Sequence, residues 1–434
     1  MPGIDARPEP VEAAVSRLRP GDTVLLNGAA SFPMRFAEAL VASELERITI
    51  IHPMRRAPFA LDPDYIDAAL ADRFAHVSEF TFDREIREAI HAGRAVYRPN
   101  HPHEAAATLA QAHGGYTFVS SASPPDEHGW FSLGAFGGWG IAWARTPKTE
   151  RIILEVNPNQ PRVHGSVSVH VSEVDCFYEA DYPLTSDALS SEPTAVDLAL
   201  ADNVVELIPD EATLQIGAGA VSDQVAKRLL TGGRRHLGIH SEGLFDSMVE
   251  LIEAGVVDNS RKAVDRGRTV FALSLGSARL FRFLDDNPGL DMRSMTSVND
   301  PALIARNRKQ VAVNAAVQVD LMGQVSSESI GPVHYSGVGG QWEFLYGAGH
   351  SPGGRPITLL ASTTRKGLST IVSGFPPGTP VTVPRNDVGY VVTEHGVANL
   401  RGRTLRQRAL ELIAVAHPDH RDRLRAEARD AQLI

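Results

Sequence analysis

A glutamate that directly follows a short apolar segment is the residue of this chain best suited to chemistry. Glu242 stands in the run His240-Ser241-Glu242, after the apolar segment Leu237 to Ile239 and before helical spacing that begins at Leu244. An ionised carboxylate can attack an activated acyl group as a nucleophile and form a mixed anhydride. The same residue could instead stabilise a helix N-terminus, because the helix dipole favours negative charge there. Its position alone leaves both interpretations open.

Glycine-rich turns could meet the second requirement of such a reaction, which is stabilisation of the negative charge that develops on the acyl oxygen. A backbone NH group aimed at that oxygen is typically worth about 3 kcal/mol. The chain has candidate turns at Gly217-Ala218-Gly219 and at residues 336–340, SGVGG. Glycine is required at such positions because a side chain would block the close approach of the backbone.

Other chemistries have weaker support in the sequence. The phosphate-binding pattern G-x-x-x-x-G-K-[ST] is absent, and the glycines of residues 134–140 lack the preceding strand of a dinucleotide-binding loop. The histidine pairs could suggest a metal, but they have no spaced carboxylate or thiolate companions, so surface or loop histidines are the favoured interpretation. We expect no metal and no permanently bound cofactor. The pairs are His101 with His103 and His236 with His240.

The elements that must position these residues follow one theme along the chain. Short buried strands alternate with helical spacing, first from Thr23 to Val156 and again after Ala195, where the strands include one predicted from Thr379 to Val383. The glycine-rich segments Ser336 to Phe344 and Gly347 to Ile357 are predicted to be loops. This alternation is typical of parallel sheets covered on both faces. In such a sheet, ligands bind where the carboxyl ends of the strands meet the helix amino ends, and the segment from Thr213 to Asn259 places Glu242 there. We therefore predict two similar α/β domains that face each other.

Two loops and one linker stand out in this pattern. The segment from Ser121 to Gly140 is rich in proline and glycine, so little regular structure is expected, and its part up to Trp130 could be a wall of the acyl site or a packed turn. Asn157 to Gly165 has the composition of a turn. The segment from Tyr182 to Thr194 is the predicted linker, which divides the chain into domains of residues 1–190 and 191–434.

Composition limits the classes of partner. The chain has 434 residues, a size that favours two or three domains. Its net charge of −10 argues against nucleic acid or an anionic membrane as the main partner. The single cysteine, Cys176, excludes an internal disulfide and fits a reducing compartment. No signal peptide and no apolar run of membrane-spanning length is found, so a cytoplasmic protein is expected.

These residues resemble the acetyl-CoA hydrolase/transferase family, in particular the CoA-transferases of the 4-hydroxybutyrate, butyrate and succinyl-CoA:acetate type. The resemblance spans nearly the whole chain in the family's order, with weaker matches in the first half (SPPDEHGW and ILEVNPNQP). The stronger matches are LQIGAGAVSDQV, LGIHSEGLFDSMVELIEAGVVDN, FLDDNP with VNDP, SGVGGQWEF, GAGHSPGGRPI, VTVPRNDVGYVVTEHGVANLRGRTLRQRA and IAVAHPDHRDRL.

The resemblance implies a role for each matching residue. Glu242 would be the catalytic nucleophile, and the backbone NH groups of Ala218 and Gly340 would bind the oxyanion. The implied fold is the CoA-transferase type, similar to NagB and RpiA, with the active site at the domain interface. Acyl-CoA and a small carboxylate would be the substrates, with no metal, and the protein would be a homodimer or a dimer of dimers. The implied CoA-binding positions are Gly217, Gly219, Asn299, Gly337, Gly339, Gly340 and Lys366.

Four sites depart from the family pattern. Ser222 replaces a usual proline, Gly243 a usual methionine, the pair Trp342-Glu343 a small residue and an aspartate, and Thr370 a common arginine. A glycine beside the nucleophile could make room for a larger acyl chain, and the missing arginine puts one CoA or subunit contact in doubt.

Three functions remain open at this point. The first is CoA transfer between an acyl-CoA and a carboxylate through a glutamyl-CoA thioester on Glu242. The second is hydrolysis by the same glutamate, if water reaches the intermediate before a carboxylate does. The third is a catalytically silent acyl-CoA-binding protein, against which the retained glutamate and glycine turns count.

Overall fold

The computed structural model describes residues 7–53, 74–78, 84–184 and 192–434. Contacts within the chain define two compact units, one of residues 1–187 with 270–298 and one of residues 188–269 with 299–434. Residues 185–191 of the predicted linker lie outside the described residues, and the predicted division at residue 190 stays a prediction.

The described strands are short and most are buried. In chain order they are β1 (Thr23–Leu26), β2 (Ile48–His52), β3 (Phe74–Ser78), β4 (Ala95–Tyr97), β5 (Tyr116–Ala122), β6 (Trp130–Ser132), β7 (Thr149–Val156), β8 (Ser168–His170), β9 (Cys176–Glu179), β10 (Thr213–Ile216), β11 (Gly238–Ile239), β12 (Gly243–Leu244), β13 (Thr269–Phe271), β14 (Leu273–Ser274), β15 (Leu290–Met292), β16 (Gln310–Ala315), β17 (Gln318–Asp320), β18 (Val325–Ser326), β19 (Ser329–Ile330), β20 (Val333–His334), β21 (Arg355–Leu359), β22 (Ile371–Val372), β23 (Tyr390–Thr393) and β24 (Gly396–Asn399).

Helices alternate with these strands. The α-helices are Val11–Val15, Met34–Ala42, Arg84–His91, Ala105–Ala112, Gly137–Ala144, Ala195–Val205, Ala220–Thr231, Asp246–Glu253, Ala278–Leu284, Met295–Val298, Pro301–Ala305, Gln341–His350, Leu405–Val415 and Pro418–Asp430.

The first unit is built on a seven-stranded sheet of order β4-β3-β2-β1-β5-β7-β9. Every neighbouring pair in this sheet is parallel. Apolar side chains of β1, β2 and the helix Met34–Ala42 form one buried cluster beside it. Burial on both faces explains why these strands are nearly continuous apolar runs in the sequence.

The second unit contains a six-stranded sheet of order β11-β10-β16-β21-β23-β24. Its pairs are parallel except for the hairpin of β23 with β24. Because β10, β11 and β16 are parallel neighbours, the segments that leave their carboxyl ends share one edge of the sheet. The predicted mixed α/β fold with mostly parallel sheets is confirmed.

Three local predictions are wrong. The glycine-rich segments Ser336 to Phe344 and Gly347 to Ile357 were expected to be loops, but a helix forms over Gln341–His350, since Phe344, Leu345 and Ala348 are buried on one side of it. Within the segment from Ser121 to Gly140, where no strand was expected before Gly134, strand β6 ends at Ser132 and a helix begins at Gly137. A Cβ at Gly138 would overlap the carbonyl oxygens of two neighbouring backbone segments. The predicted strand over 379–383 is reduced to one isolated bridge at its last residue.

Candidate active site

The candidate nucleophile lies at the predicted edge of the sheet. Strand β11 ends at Ile239, and the next three residues lead to Glu242, which is half-buried. The hydroxyl of Ser241 donates to the carbonyl oxygen of Gly243 over 2.8 Å, which fixes the tight turn around the glutamate. A buried Lys262 donates to the carbonyl oxygen of Ile239 over 2.8 Å and supports the end of the strand.

Two neutral donors contact the Glu242 carboxylate. The side-chain nitrogen Nδ2 of Asn299 donates to Oε2 over 2.7 Å, and the backbone NH of Gly340 donates as well. A Cβ at position 340 would overlap this carboxylate and the Asn299 amide, so only glycine permits the contact. Asn299 and Gly340, both candidate site residues from the sequence, therefore contact the candidate nucleophile Glu242 directly.

A second carboxylate lies beside this group. Glu343 is fully buried in the first turn of the helix Gln341–His350, and its Oε2 accepts from the same Asn299 nitrogen over 2.9 Å. One amide thus bridges two glutamates. In the sequence, Glu343 was noted only as a departure from the family pattern. Its position three residues after Gly340, on the buried side of a helix, could have indicated that it contacts the site.

The electrostatic setting of Glu242 favours its neutral form. Desolvation is the larger cause and the charge of Glu343 the second, and together they raise the pKa of Glu242 to about 7. The donors Asn299 and Gly340 partly oppose this shift. A carboxylate with a raised pKa is more basic once ionised, and shifted pKa values of this kind are common at catalytic sites.

The glycine-rich turn that follows β10 begins at the same edge of the sheet as the segment that contains Glu242. Strand β10 ends at Ile216, and the NH of Gly217 continues the ladder by donating to the carbonyl oxygen of Val313 over 3.3 Å. Gly219 has a φ of 119°, which favours glycine, and the helix begins at Ala220. The turn that contains Ala218 thus follows the strand paired with β11.

The remaining predicted CoA-binding positions fall in two places. Gly337 and Gly339 lie in the loop that leads to Gly340, with a left-handed φ of 59° at Gly339. Lys366 is exposed at a turn, and the structure does not bring it into contact with Glu242. That turn is held at Gly367, whose carbonyl oxygen accepts from His420 over 2.9 Å.

The departures from the family pattern have distinct surroundings. A Cβ at Gly243 would come 2.5 Å from Cζ of Phe245, so the space beside the nucleophile is filled by the chain's own phenylalanine. The indole nitrogen of Trp342 donates to Asp387 over 2.8 Å. Thr370 donates to the carbonyl oxygen of Ala361 over 2.6 Å. Nothing in the structure explains Ser222.

The sequence also contains the pattern G-x-S-x-G at residues 349–353. Ser351 follows a helix rather than a strand, and its hydroxyl donates to the carbonyl oxygen of Asn307 over 2.5 Å and accepts from the NH of Gln310. The residue is buried. This serine therefore ends a helix and is not placed at the strand-to-helix turn that a serine hydrolase requires.

The histidine pairs do not form a metal site in the described part of the chain. His236 lies 2.7 Å from a carboxylate oxygen of Asp258, and the rings of His101 and His103 are 6.0 Å apart. No group of three ligand-type side chains suited to a metal ion occurs among the described residues. None of the described helices is long and apolar enough to span a membrane.

The proline-rich loop of the first unit is largely exposed and is held by hydrogen bonds. Oδ1 of Asp126 accepts from the backbone NH groups of His128 and Trp130, each over 2.9 Å. The guanidinium of Arg162 donates to the carbonyl oxygen of Pro124 over 2.6 Å. These contacts fix the loop shape, and its predicted role as a wall of the acyl site stays a prediction.

Known relatives match the chain along almost its whole length. A 424-residue alignment with the succinyl-CoA:cyclohexane-1-carboxylate CoA transferase of Geobacter metallireducens shows 40% identity and covers 97% of this chain and 94% of the relative. The 4-hydroxybutyrate coenzyme A transferase of Clostridium kluyveri is 37% identical, with 96% of each chain covered. The crystal structure of RipA from Yersinia pestis superposes with a TM-score of 0.88 at 35% identity, covering 98% of this chain and 97% of that one.

Family models agree with these similarities. The acetyl-CoA hydrolase/transferase N-terminal domain matches residues 9–186, and the C-terminal domain of the same family matches residues 276–428. Since both domains and full-length relatives agree, the chain belongs to the acetyl-CoA hydrolase/transferase family.

Proposed function

We propose that this protein is an acyl-CoA:carboxylate CoA-transferase that uses Glu242 as its nucleophile. The observation that carries the proposal is the Glu242 carboxylate itself, which is held by Asn299 and the Gly340 NH at a sheet edge and has a pKa raised to about 7. The full-length relatives named as CoA-transferases support the same activity.

The reaction has two balanced halves. The ionised Glu242 attacks the thioester carbon of the acyl-CoA, the carbon–sulfur bond breaks, and CoA leaves as a thiolate, so that a mixed anhydride of Glu242 and the acyl group remains. The thiolate then attacks the Glu242 carbonyl carbon, which releases the first carboxylate and leaves a glutamyl-CoA thioester. An incoming carboxylate reverses the two steps and departs as the new acyl-CoA.

The donors at the site fit the charge that this cycle develops. When a thiolate or carboxylate attacks the Glu242 carbonyl, negative charge grows on an oxygen that the Asn299 amide and the Gly340 NH can stabilise. The NH of Ala218 would serve the external acyl oxygen. Gly217, Gly219, Gly337, Gly339 and the exposed Lys366 are proposed to contact CoA.

The substrates are proposed to be a short-chain acyl-CoA and a small carboxylic acid. The relatives' names mention 4-hydroxybutyrate, succinyl-CoA and cyclohexane-1-carboxylate. We further propose a cytoplasmic homodimer or dimer of dimers, as the family resemblance implies. Light scattering of the purified protein measures the subunit number.

An isotope experiment tests the activity. The protein is incubated with unlabelled butyryl-CoA and carbon-13 acetate, and the products are resolved by mass spectrometry. Transfer produces labelled acetyl-CoA and one equivalent of free butyrate. Hydrolysis, the alternative, produces free CoA at a rate independent of acetate. Absence of any turnover with acetyl-, propionyl- and butyryl-CoA would favour the silent binding protein.

A further inference from the structure

Glu343 is a buried acid that the proposed reaction does not use directly. It occupies the third position of the helix Gln341–His350, where an acid commonly interacts with the helix dipole. Most such acids keep contact with solvent, but this side chain is fully buried. Its carboxylate is directed at Asn299 over 2.9 Å, so the side chain makes a specific contact beyond the helix end.

The Asn299 amide can face the two carboxylates only with its nitrogen, not with its oxygen. Its nitrogen has two hydrogens, and the observed distances of 2.7 Å to Glu242 and 2.9 Å to Glu343 use one hydrogen each. Its oxygen is buried and has no hydrogen-bond partner among the described residues. The reverse orientation would set that oxygen against two carboxylates, so the second carboxylate opposes rotation of the amide.

We propose that Glu343 is a positioning residue for the nucleophile: it fixes the Asn299 amide with its nitrogen toward Glu242, and its charge raises the free energy of ionised Glu242 relative to the neutral covalent intermediates. This inference rests on the proposed function and deepens it. Once Glu242 carries an acyl group or CoA, it is neutral and the repulsion between the two glutamates is relieved. The repulsion between the two ionised carboxylates therefore favours the attack of Glu242 on the acyl-CoA.

Electrostatics supports this geometry. Among the groups that act on Glu242, Glu343 is the charged one, whereas Asn299 and the Gly340 NH are neutral donors. The Glu343 charge raises the pKa of Glu242, second only to desolvation.

The first-turn acid of another helix in the same unit, Asp197, accepts from Thr194 in an ordinary capping box and provides a matched comparison.

Three substitutions separate the two parts of the role. E343Q keeps an acceptor for Asn299 and removes the charge, so the acidic limb of the kcat profile is expected to move to lower pH. Its plateau is expected to fall severalfold, because ionised Glu242 loses the repulsion that favours the attack. E343L removes the acceptor too, and the plateau of kcat is expected to fall about tenfold to a hundredfold, because the amide loses its fixed orientation. E343D keeps the charge and is expected to retain the wild-type acidic limb.

The control variant is D197N, which removes a first-turn acid but leaves the site intact. If Glu343 acts only through the helix end, then E343Q and D197N will have the same pH profile, and the inference is overturned. A plateau unchanged in E343L would also overturn it.

The inference can fail independently of the proposed function. Unfolding free energies of wild type, E242Q, E343Q and the double variant form a thermodynamic cycle that needs no turnover. At pH 8 we expect repulsive coupling between the two glutamates, which disappears at pH 5. Additive effects at both pH values would reject the inference even in an active transferase, whereas coupling in a protein without transfer activity would reject the proposed function alone.

Discussion

Two glutamates at the carboxyl ends of parallel strands have opposite surroundings. Glu155 of the first unit lies in β7 and is fully buried, and its carboxylate accepts from four donors. Two are backbone NH groups at the start of the helix Met34–Ala42, and two are phenolic hydroxyls. The donors are Arg35 NH, Phe36 NH, Tyr178 OH and Tyr182 OH.

Glu242 of the second unit has a smaller set of donors. It accepts from Asn299 and Gly340 and faces the carboxylate of Glu343. Desolvation is the leading cause of a raised pKa at both Glu155 and Glu242. The direction of the pKa shift and its leading cause therefore do not distinguish the two carboxyl groups. The difference is that Glu155 has its acceptor capacity largely filled, which suits a structural group, whereas Glu242 keeps acceptor capacity for a substrate.

The largest expected effect is on kcat, which should fall when Glu242 is substituted but not when Glu155 is. E242Q removes the attacking carboxylate, and we expect kcat to fall roughly 10⁴-fold, as for other covalent nucleophiles. The assay is CoA transfer from butyryl-CoA to acetate. E155Q assayed at equal folded concentration should retain kcat, and a similar loss in both variants would remove the contrast between the glutamates.

The second effect is on stability as a function of pH. The pKa of Glu242 is raised from 4.5 to about 7, so the folded chain holds a proton there that the unfolded chain has lost. The unfolding free energy should therefore fall as pH rises through this window, by about 3 kcal/mol at most. In E242Q this decrease in unfolding free energy is not expected, because residue 242 no longer ionises. Urea unfolding of both proteins at pH 5 and pH 8 measures it, and a pH-independent difference would contradict the assignment.

The third effect concerns the structural glutamate. E155Q replaces one accepting oxygen by an amide nitrogen, which cannot accept a hydrogen bond, and we expect the unfolding free energy of the protein to fall by about 2 kcal/mol. Thermal unfolding with and without the substitution measures this loss. A stable E155Q protein with reduced kcat would show that the first-unit carboxylate has a functional role.

The smallest effect sharpens the contrast at the nucleophile. Phe245 fills the space beside Gly243, so F245A should open that space. We expect butyryl-CoA to gain about tenfold in kcat/KM relative to acetyl-CoA, since one or two methylenes are worth this much in an apolar pocket. A preference that stays unchanged would show that the Phe245 ring does not border the acyl group.

The sequence predicted the sheet edge but not the contacts across it. Parallel strands could be recognised from apolar runs and glycine turns, and Glu242 with Gly340 followed from them and from the family resemblance. Glu343 was missed because the glycine-rich segments Ser336 to Phe344 and Gly347 to Ile357 were expected to be loops. The helix forms there since Phe344 and Leu345 are buried and Gly347 packs closely against Ile304.

Other parts of the site depend on tertiary contacts that no spacing reveals. Asn299 was expected to contact CoA, and the structure places its amide between Glu242 and Glu343. Gly243 suggested open space in the sequence, but a ring two residues later fills it. The Asn299 contacts are set by packing of segments far apart in the chain, whereas the Phe245 contact depends on the side-chain conformation of a near neighbour.

Trapping the covalent intermediate tests the central claim most directly. The protein is incubated with butyryl-CoA in the absence of an acceptor acid, treated with borohydride, and digested for peptide mapping by mass spectrometry. A glutamyl thioester is reduced by this reagent, whereas a free carboxylate is not. We expect a reduced residue at Glu242, absent from E242Q and lost when acetate is added before the borohydride. Turnover without a reducible adduct, or reduction at a different glutamate, would contradict it.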